Sequence, residues 1–261
     1  ARATRMNTGL CVLTGATGGI GQAIAKTLHA QGWQLLLVGR NGDALNALSS
    51  QCPGSMTFVG DLTVAENMLA LAIKAKKLGG AKLLINNAGI NVMQSLSSCS
   101  SEQIDNLLST NLAVPMKLCQ LFLEQLQANR GTIVNVGSSF GSIGYPYQTL
   151  YCASKFGLRG FSEALSRELS DTGVRVTYLA PRATDTDIND AQTRAMNKAL
   201  GNQMDSPQLV ADELVALLNS NKTRRFIGFP EKLFARINGV FPRIVDNAIA
   251  KQLPKIKSFL G

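Results

Sequence analysis

A chain of 261 residues, 45% of them apolar, with 24 glycines and a single histidine, suits one large domain with a full core and argues against a histidine-based triad or a zinc site. No apolar run approaches the ~18 to 20 residues of a membrane-spanning helix, and the five scattered cysteines, without a C-x-x-C, read as reduced thiols of a cytoplasmic protein. The net charge of +9 is uneven: residues 222–261 hold nine Lys or Arg against Glu231 and Asp246, while the rest is close to neutral.

The start, "ARATRMNTGLCVLTG", lacks the h-region of a secretory signal. Met6 reads as a candidate start, with residues 1–5 as a leader or cloning remnant. "LCVLTG" (10–15) is then a short apolar strand, and "ATGGIGQAIAKTLHAQG" follows with helical periodicity, His29 on its surface. The alternation repeats. "WQLLLVG", "MTFVG", "KLLINN", "TIVNVGS", "VRVTYLA" and "RRFIGF" read as strands, with helical segments near 43–51, 64–78, 102–128, 148–171 and 207–219. The strand runs are apolar throughout rather than alternating, as parallel strands covered on both faces require. The pattern predicts an α/β fold, a Rossmann-type doubly wound parallel sheet with helices on both faces. Residues 1–229 form the expected domain, and 230–261 a basic amphipathic helical extension packed on or beside it.

In such sheets a ligand sits beyond the carboxyl ends of the strands. After the first strand comes "TGATGGIG", where Gly15, Gly19 and Gly21 permit a tight turn and close approach of a phosphate to a helix N-terminus. After the second, "LLLVGRN" places Arg40 where a carboxylate would hold a ribose 2′-hydroxyl; an arginine there pairs instead with a 2′-phosphate. Asp61, in "VGDLT", is placed either to accept from an adenine amino group or to cap the next helix. In "LYCASKFGL" (150–158) Tyr151 and Lys155 stand four apart, side by side on one helical face. A cation beside a phenol favours the phenolate, which would tune a proton donor toward neutral pH.

With "NNAG" (86–89), "TNLAVP", "VNVGSSFG" and "YCASK" in register behind "TGATGGIG", residues ~8 to 228 resemble the short-chain dehydrogenase/reductase family, in its NADP-preferring branch. The resemblance implies Asn111, Ser138, Tyr151 and Lys155 as the catalytic set and no metal. Tyr151 would protonate a carbonyl oxygen that Ser138 fixes. Lys155 would hold the nicotinamide ribose and lower the Tyr151 pKa, and Asn111, in a distorted helix, would hold a water feeding Lys155. The implied NADP(H) contacts are Thr14, Gly15, Thr17, Gly19, Ile20, Gly21, Arg40, Asp61, Leu62, Asn87, Ala88, Gly89, Tyr151, Lys155, Pro181, Thr184 and Thr186. One departure stands out: "APRATDTDI" has Arg182 where the family usually carries glycine. Its guanidinium would either face solvent or reach an anionic substrate group.

The implied activity is reduction by NADPH of a ketone, 3-oxoacyl group or other hydrophobic carbonyl; the alternative is a non-catalytic NADP(H)-binding redox sensor or scaffold. Segments 140–148 and 181–200, with Phe140, Tyr145, Tyr147 and Met196, would shape a partly apolar cleft. The expected assembly is a homodimer or homotetramer, and no nucleic-acid motif appears. In the extension, Leu233, Phe234, Ile237, Val240 and Phe241 recur at helical spacing, and Ile244, Val245, Ala248, Ile249 and Leu253 repeat the stripe, with Pro242 and Pro254 starting new turns. That stripe either packs on the protein or a sister subunit, or meets an anionic membrane surface.

Overall fold

The structure, a computed structural model, describes residues 8–184, 191–200, 204–228 and 231–259. Among them seven parallel strands form one sheet in the order β3-β2-β1-β4-β5-β6-β7. These are β1 (Leu10–Leu13), β2 (Gln34–Gly39), β3 (Met56–Val59), β4 (Ala81–Asn86), β5 (Thr132–Val136), β6 (Arg175–Ala180) and β7 (Arg224–Phe226). Each predicted strand appears, shortened by a residue or more where the quoted runs ended in turn residues.

The strands are apolar on both faces because both are covered. One face (Leu13, Leu35, Leu37, Ile85, Val134) packs against α1 (Gly19–Ala30), α2 (Gly42–Gln51) and α8 (Pro207–Leu218) through Ile24, Leu45 and Leu214. The other (Val12, Leu36, Leu84, Ile133, Val176) packs against α3 (Ala65–Lys77) and α5 (Val114–Ala128) through Leu71, Leu118 and Phe122, with Phe161 and Leu165 of α6 (Thr149–Glu168) at the edge. Strand order reverses between β1 and β4, which opens a crevice at their carboxyl ends, the expected ligand site.

The long helix expected over 102–128 is interrupted. α4 (Ser101–Leu108), capped by a reciprocal Ser100–Gln103 box, runs into a π turn over Ser109–Ala113 before α5 continues. Asn111 sits in that turn, the distortion the family resemblance implied.

Beyond β7 the extension folds as α9 (Glu231–Val240) and α10 (Pro242–Lys257). Pro242 starts a helix as expected. Pro254 does not: it lies inside α10, which continues to Lys257. The stripe is also divided. Val245 is buried, as is Ile256 beyond the stripe, whereas Leu233, Val240, Phe241 and Ile244 are exposed. No helix among the described residues is long and apolar enough to cross a membrane.

Candidate active site

The glycine loop is built from backbone contact. Gly15 has φ +60°, and a Cβ at Gly21 would lie 2.1 Å from the Gly15 carbonyl oxygen, so helix α1 starts pressed against the turn. No side chain caps α1 and its first turn holds no acid. An uncapped helix N-terminus with its positive dipole end is an anion cradle, and a pyrophosphate fits it. Thr14 stands behind this cradle instead of lining it. Its buried hydroxyl donates to the Ile85 carbonyl (3.3 Å) and accepts from the N–H groups of Asn87 (3.0 Å) and Ala88 (3.1 Å). Asn87 returns the tie through its amide to the Thr14 and Gly15 carbonyls. Thr14 is thus corrected from a cofactor contact to the peg that joins the loops after β1 and β4.

The crevice is lined by Gly15, Thr17, Gly19, Ile20, Gly21, Arg40, Asp61, Leu62, Asn87, Ala88 and Gly89, as the sequence led one to expect. Gly18, Ile90, Asn91, Asn106, Thr110 and Val114 also line it, and none of these had been singled out. Arg40 is exposed at the end of β2 and makes no ion pair among the described residues. Asp61 is not the cap of α3, which is Val64; its carboxylate accepts from the Thr63 N–H (2.9 Å) and hydroxyl (2.7 Å). Those two bonds, the hydroxyl's first, hold its pKa below the usual carboxylate value. Asp61 therefore stays ionised at the end of the crevice that it shares with Arg40.

A second cavity adjoins this crevice, sharing Ile20, Asn87, Gly89 and Asn91, and it holds Ser138, Tyr151 and Lys155. Ser138 follows β5 and is locked by a residue not marked in the sequence. The buried Tyr178 hydroxyl donates to the Ser138 carbonyl (3.2 Å) and accepts from its N–H (3.3 Å). Any side chain at Gly137 would collide with that ring, at 2.1 Å. Behind Ser138 a buried polar chain, Asn86 to Asn135 (2.8 Å) to Ser162 (2.9 Å), ties β4, β5 and α6 together. Asn111 exchanges bonds with the Ile90 backbone (2.8 Å each way) and donates to Ser154 of α6 (3.2 Å). Both of its N–H bonds are thereby used, so the remaining lone pair of its oxygen is what a water could meet.

Tyr151 and Lys155 are brought together, with Nζ 5.5 Å from the ring centroid and bonded to the Val136 carbonyl (3.1 Å). Their electrostatics differ from the expectation. Burial pushes the Tyr151 phenol up to about 12, with the Ser138 hydroxyl acting the opposite way, and burial pushes Lys155 down to about 8. Within the protein's own groups the phenol is not tuned toward neutrality; both side chains are driven toward their neutral forms.

For Lys155 this has a sign. The unfolded chain binds its proton up to about 10.5 and the folded chain only to about 8. The burial cost is therefore complete below pH 8 and relieved as pH rises toward 10.5. The stability of the wild type relative to Lys155→Met should accordingly rise by about 3 kcal/mol between neutrality and about pH 10.5. Urea titrations of both proteins across that range check this; a constant difference would show that Lys155 is not held in a strongly desolvated position.

The second cavity is also lined by Phe140, Tyr145, Gln148, Pro181, Arg182, Thr184, Met196 and Asn197. Phe140 stacks on Tyr145 at 5.1 Å and meets Tyr151 edge-on at 6.3 Å, an aromatic wall beside the phenol. Tyr147 is not part of the wall; its φ is +63° and its carbonyl accepts from the Gln94 N–H. Gln148 and Asn91 had no sequence signal beyond their place beside the motifs, yet both carry a buried oxygen with no partner among the described residues. Arg182 does not face solvent, and it lines the cavity. Its guanidinium grips Asp205 with two bonds, Nε to Oδ2 (2.9 Å) and Nη2 to Oδ1 (2.7 Å). Thr186 lies outside the described residues. Among the described residues no cluster of three or more His, Cys, Asp or Glu could hold a metal.

The short chain dehydrogenase family model matches residues 10–197. Carbonyl reductase family member 4 of Xenopus laevis is 33% identical over 216 residues, 81% of this chain and 91% of that one. The 3-oxoacyl-[acyl-carrier-protein] reductase of Bos taurus is 34% identical over 194 residues, 73% of this chain and 80% of that one. A short chain dehydrogenase from Burkholderia cenocepacia J2315, solved in complex with NADP, superposes with a TM-score of 0.81 at 23% identity, covering 95% of this chain and 99% of the other. With the family model over most of its length and the glycine cradle, Ser138, Tyr151 and Lys155 facing one crevice, the chain belongs to the short-chain dehydrogenase/reductase family, an oxidoreductase that uses a nicotinamide cofactor on CH–OH and C=O groups.

Proposed function

We propose that this protein is an NADPH-dependent reductase of a ketone or 3-oxoacyl group, working reversibly as an alcohol dehydrogenase. The observation that carries the reading is the shared wall: the cavity holding Ser138, Tyr151 and Lys155 opens into the glycine-lined crevice through Ile20, Asn87 and Gly89. Bound NADPH supplies the hydride. The chain's residues supply the rest. The cradle at α1 and Thr17 would receive the pyrophosphate, Arg40 the 2′-phosphate, Asp61 and Leu62 the adenine, and Ala88, Gly89, Lys155, Pro181, Thr184 and Thr186 the nicotinamide end. Ser138 hydrogen-bonds the substrate carbonyl oxygen. Tyr151 donates its phenolic proton to that oxygen as carbon gains the hydride, which yields the alcohol and leaves a phenolate beside the Lys155 ammonium. Asn111 stands behind them in the π turn, bonded to Ile90 and to Ser154, the residue before Lys155.

The names of the two relatives, a carbonyl reductase and a 3-oxoacyl-[acyl-carrier-protein] reductase, support that substrate class. The aromatic wall of Phe140 and Tyr145 supports a hydrophobic carbonyl. The reading includes a homodimer or homotetramer. The reading includes a cytoplasmic protein that touches an anionic membrane through residues 230–261.

NADPH oxidation with a panel of short ketones and 3-oxoacyl thioesters tests the activity; no turnover with any of them would sink it. The cofactor is tested separately, by dissociation constants for NADPH and NADH. NADPH should bind more tightly, and Arg40→Asp should weaken it by roughly 10²-fold, since a charge-assisted pair is replaced by a repulsion. Equal affinity for NADH in the wild type would overturn the preference.

A further inference from the structure

Helices α9 and α10 have an inner and an outer face, and the two do different things. The inner face is fastened to the substrate side of the catalytic cavity. Asn238 donates to the Ser142 carbonyl (2.9 Å), four residues beyond Ser138, and Lys255 bonds the Ala199 carbonyl at the end of α7 (Ala191–Ala199). Met196 and Asn197 of α7 line the cavity itself. The extension is thus held to the cavity rim at two points.

The outer face carries the largest concentration of exposed apolar side chains in the described residues. Val240 is 68% exposed, Phe241 61%, Ile244 54% and Leu233 45%, all within twelve residues around the joint between α9 and α10. Arg236 and Arg243 are exposed among them. Leu233, Arg236 and Val240 fall at i, i+3 and i+7, one side of α9. Exposed apolar residues scattered singly need no explanation, but a contiguous patch marks a contact surface. The charge decides between partners. Residues 231–259 hold six Lys or Arg against Glu231 and Asp246, so two copies meeting joint to joint would oppose like charges. An apolar tip flanked by arginines matches instead a surface that is anionic outside and hydrocarbon within.

We infer that the α9–α10 joint docks on an anionic lipid surface, with Val240, Phe241 and Ile244 entering the acyl boundary and Arg236 and Arg243 meeting the phosphate headgroups. On the reductase reading, docking holds the rim of the catalytic cavity close to the lipid, so the substrate class is a carbonyl compound that partitions into a bilayer.

Flotation of the full chain with vesicles tests this. Vesicles of equal parts phosphatidylglycerol and phosphatidylcholine should carry the protein at low salt and lose it at high salt, and pure phosphatidylcholine should carry little. Phe241→Ser/Ile244→Ser and, separately, Arg236→Gln/Arg243→Gln should each reduce partition about tenfold or more, through lost apolar burial and lost headgroup attraction. None of the four residues lines the catalytic cavity, so NADPH turnover of a water-soluble ketone should be unchanged in both variants. Failure of the wild type to float with the anionic vesicles would overturn the inference. So would equal flotation of the variants, or a fall in solution mass by light scattering in Phe241→Ser/Ile244→Ser, which would make a second copy the occupant. Flotation needs neither substrate nor NADPH, so its failure would leave the reductase reading standing, and absent turnover would leave the docking standing.

Discussion

Tyr151→Phe should lower turnover by about 10² to 10⁴-fold while leaving NADPH affinity nearly unchanged, the range credited to a positioned general acid. The structure sharpens the reason. Burial holds the Tyr151 phenol near 12, so at neutral pH it carries its proton, the form needed to quench an alkoxide. Reduction therefore finds the acid ready, whereas alcohol oxidation must first remove that proton, a step the neighbouring Lys155 ammonium favours only while charged. Lys155→Met should damage both turnover and cofactor affinity, because Lys155 stands beside the Tyr151 ring and, on the proposed reading, holds the ribose. The measurement is kcat with saturating NADPH beside a direct binding titration for each variant. A Tyr151→Phe enzyme retaining above about a tenth of the wild-type rate would remove the proton-donor role.

What could be read from the sequence was what depends on short spacing. The sheet was legible because each strand is an unbroken apolar run closed by a turn. Tyr151 and Lys155 were legible because four residues is one helical turn, and the glycine cradle because it immediately follows a strand. What failed to show was set by distant partners. Nothing in "VRVTYLA" marks Tyr178 as the group that locks Ser138, forty residues away. Thr14 looked like a cofactor contact because it opens the motif, but only the fold reveals that β4 delivers two N–H groups to its hydroxyl. The Tyr151 pKa was misjudged for a related reason. A neighbouring cation can be read from spacing, but desolvation depends on everything packed around the site, and here desolvation is the larger effect. Pro254 shows the limit of a local rule: its usual helix-breaking effect does not end α10, whose neighbour Ile256 is fully buried.

Asp205→Ala should destabilise the fold by about 3–5 kcal/mol, the largest stability effect expected from a single polar side chain here. Asp205 is 4% exposed and lies just before α8, while Arg182 follows β6; their forked pair joins segments 23 residues apart. The backbone reinforces the junction, with the Asp205 N–H on the Ala183 carbonyl (2.9 Å) and a bridge between Thr184 and Asp205. Removing Asp205 takes a forked, charge-assisted pair away from a buried guanidinium, and removing Arg182 takes both of those bonds from the buried Asp205 carboxylate, whereas replacing both by apolar residues of similar volume is often close to neutral. Arg182→Met/Asp205→Leu should therefore recover most of the stability lost in Asp205→Ala. Urea unfolding of the three proteins decides it; an Asp205→Ala midpoint equal to that of the wild type would mean the pair is replaceable by water. The same logic bears on the glycine that the family usually carries at position 182. Arg182→Gly alone should be nearly as damaging as Asp205→Ala, because it restores the family residue while stranding the carboxylate that this chain has placed to meet an arginine.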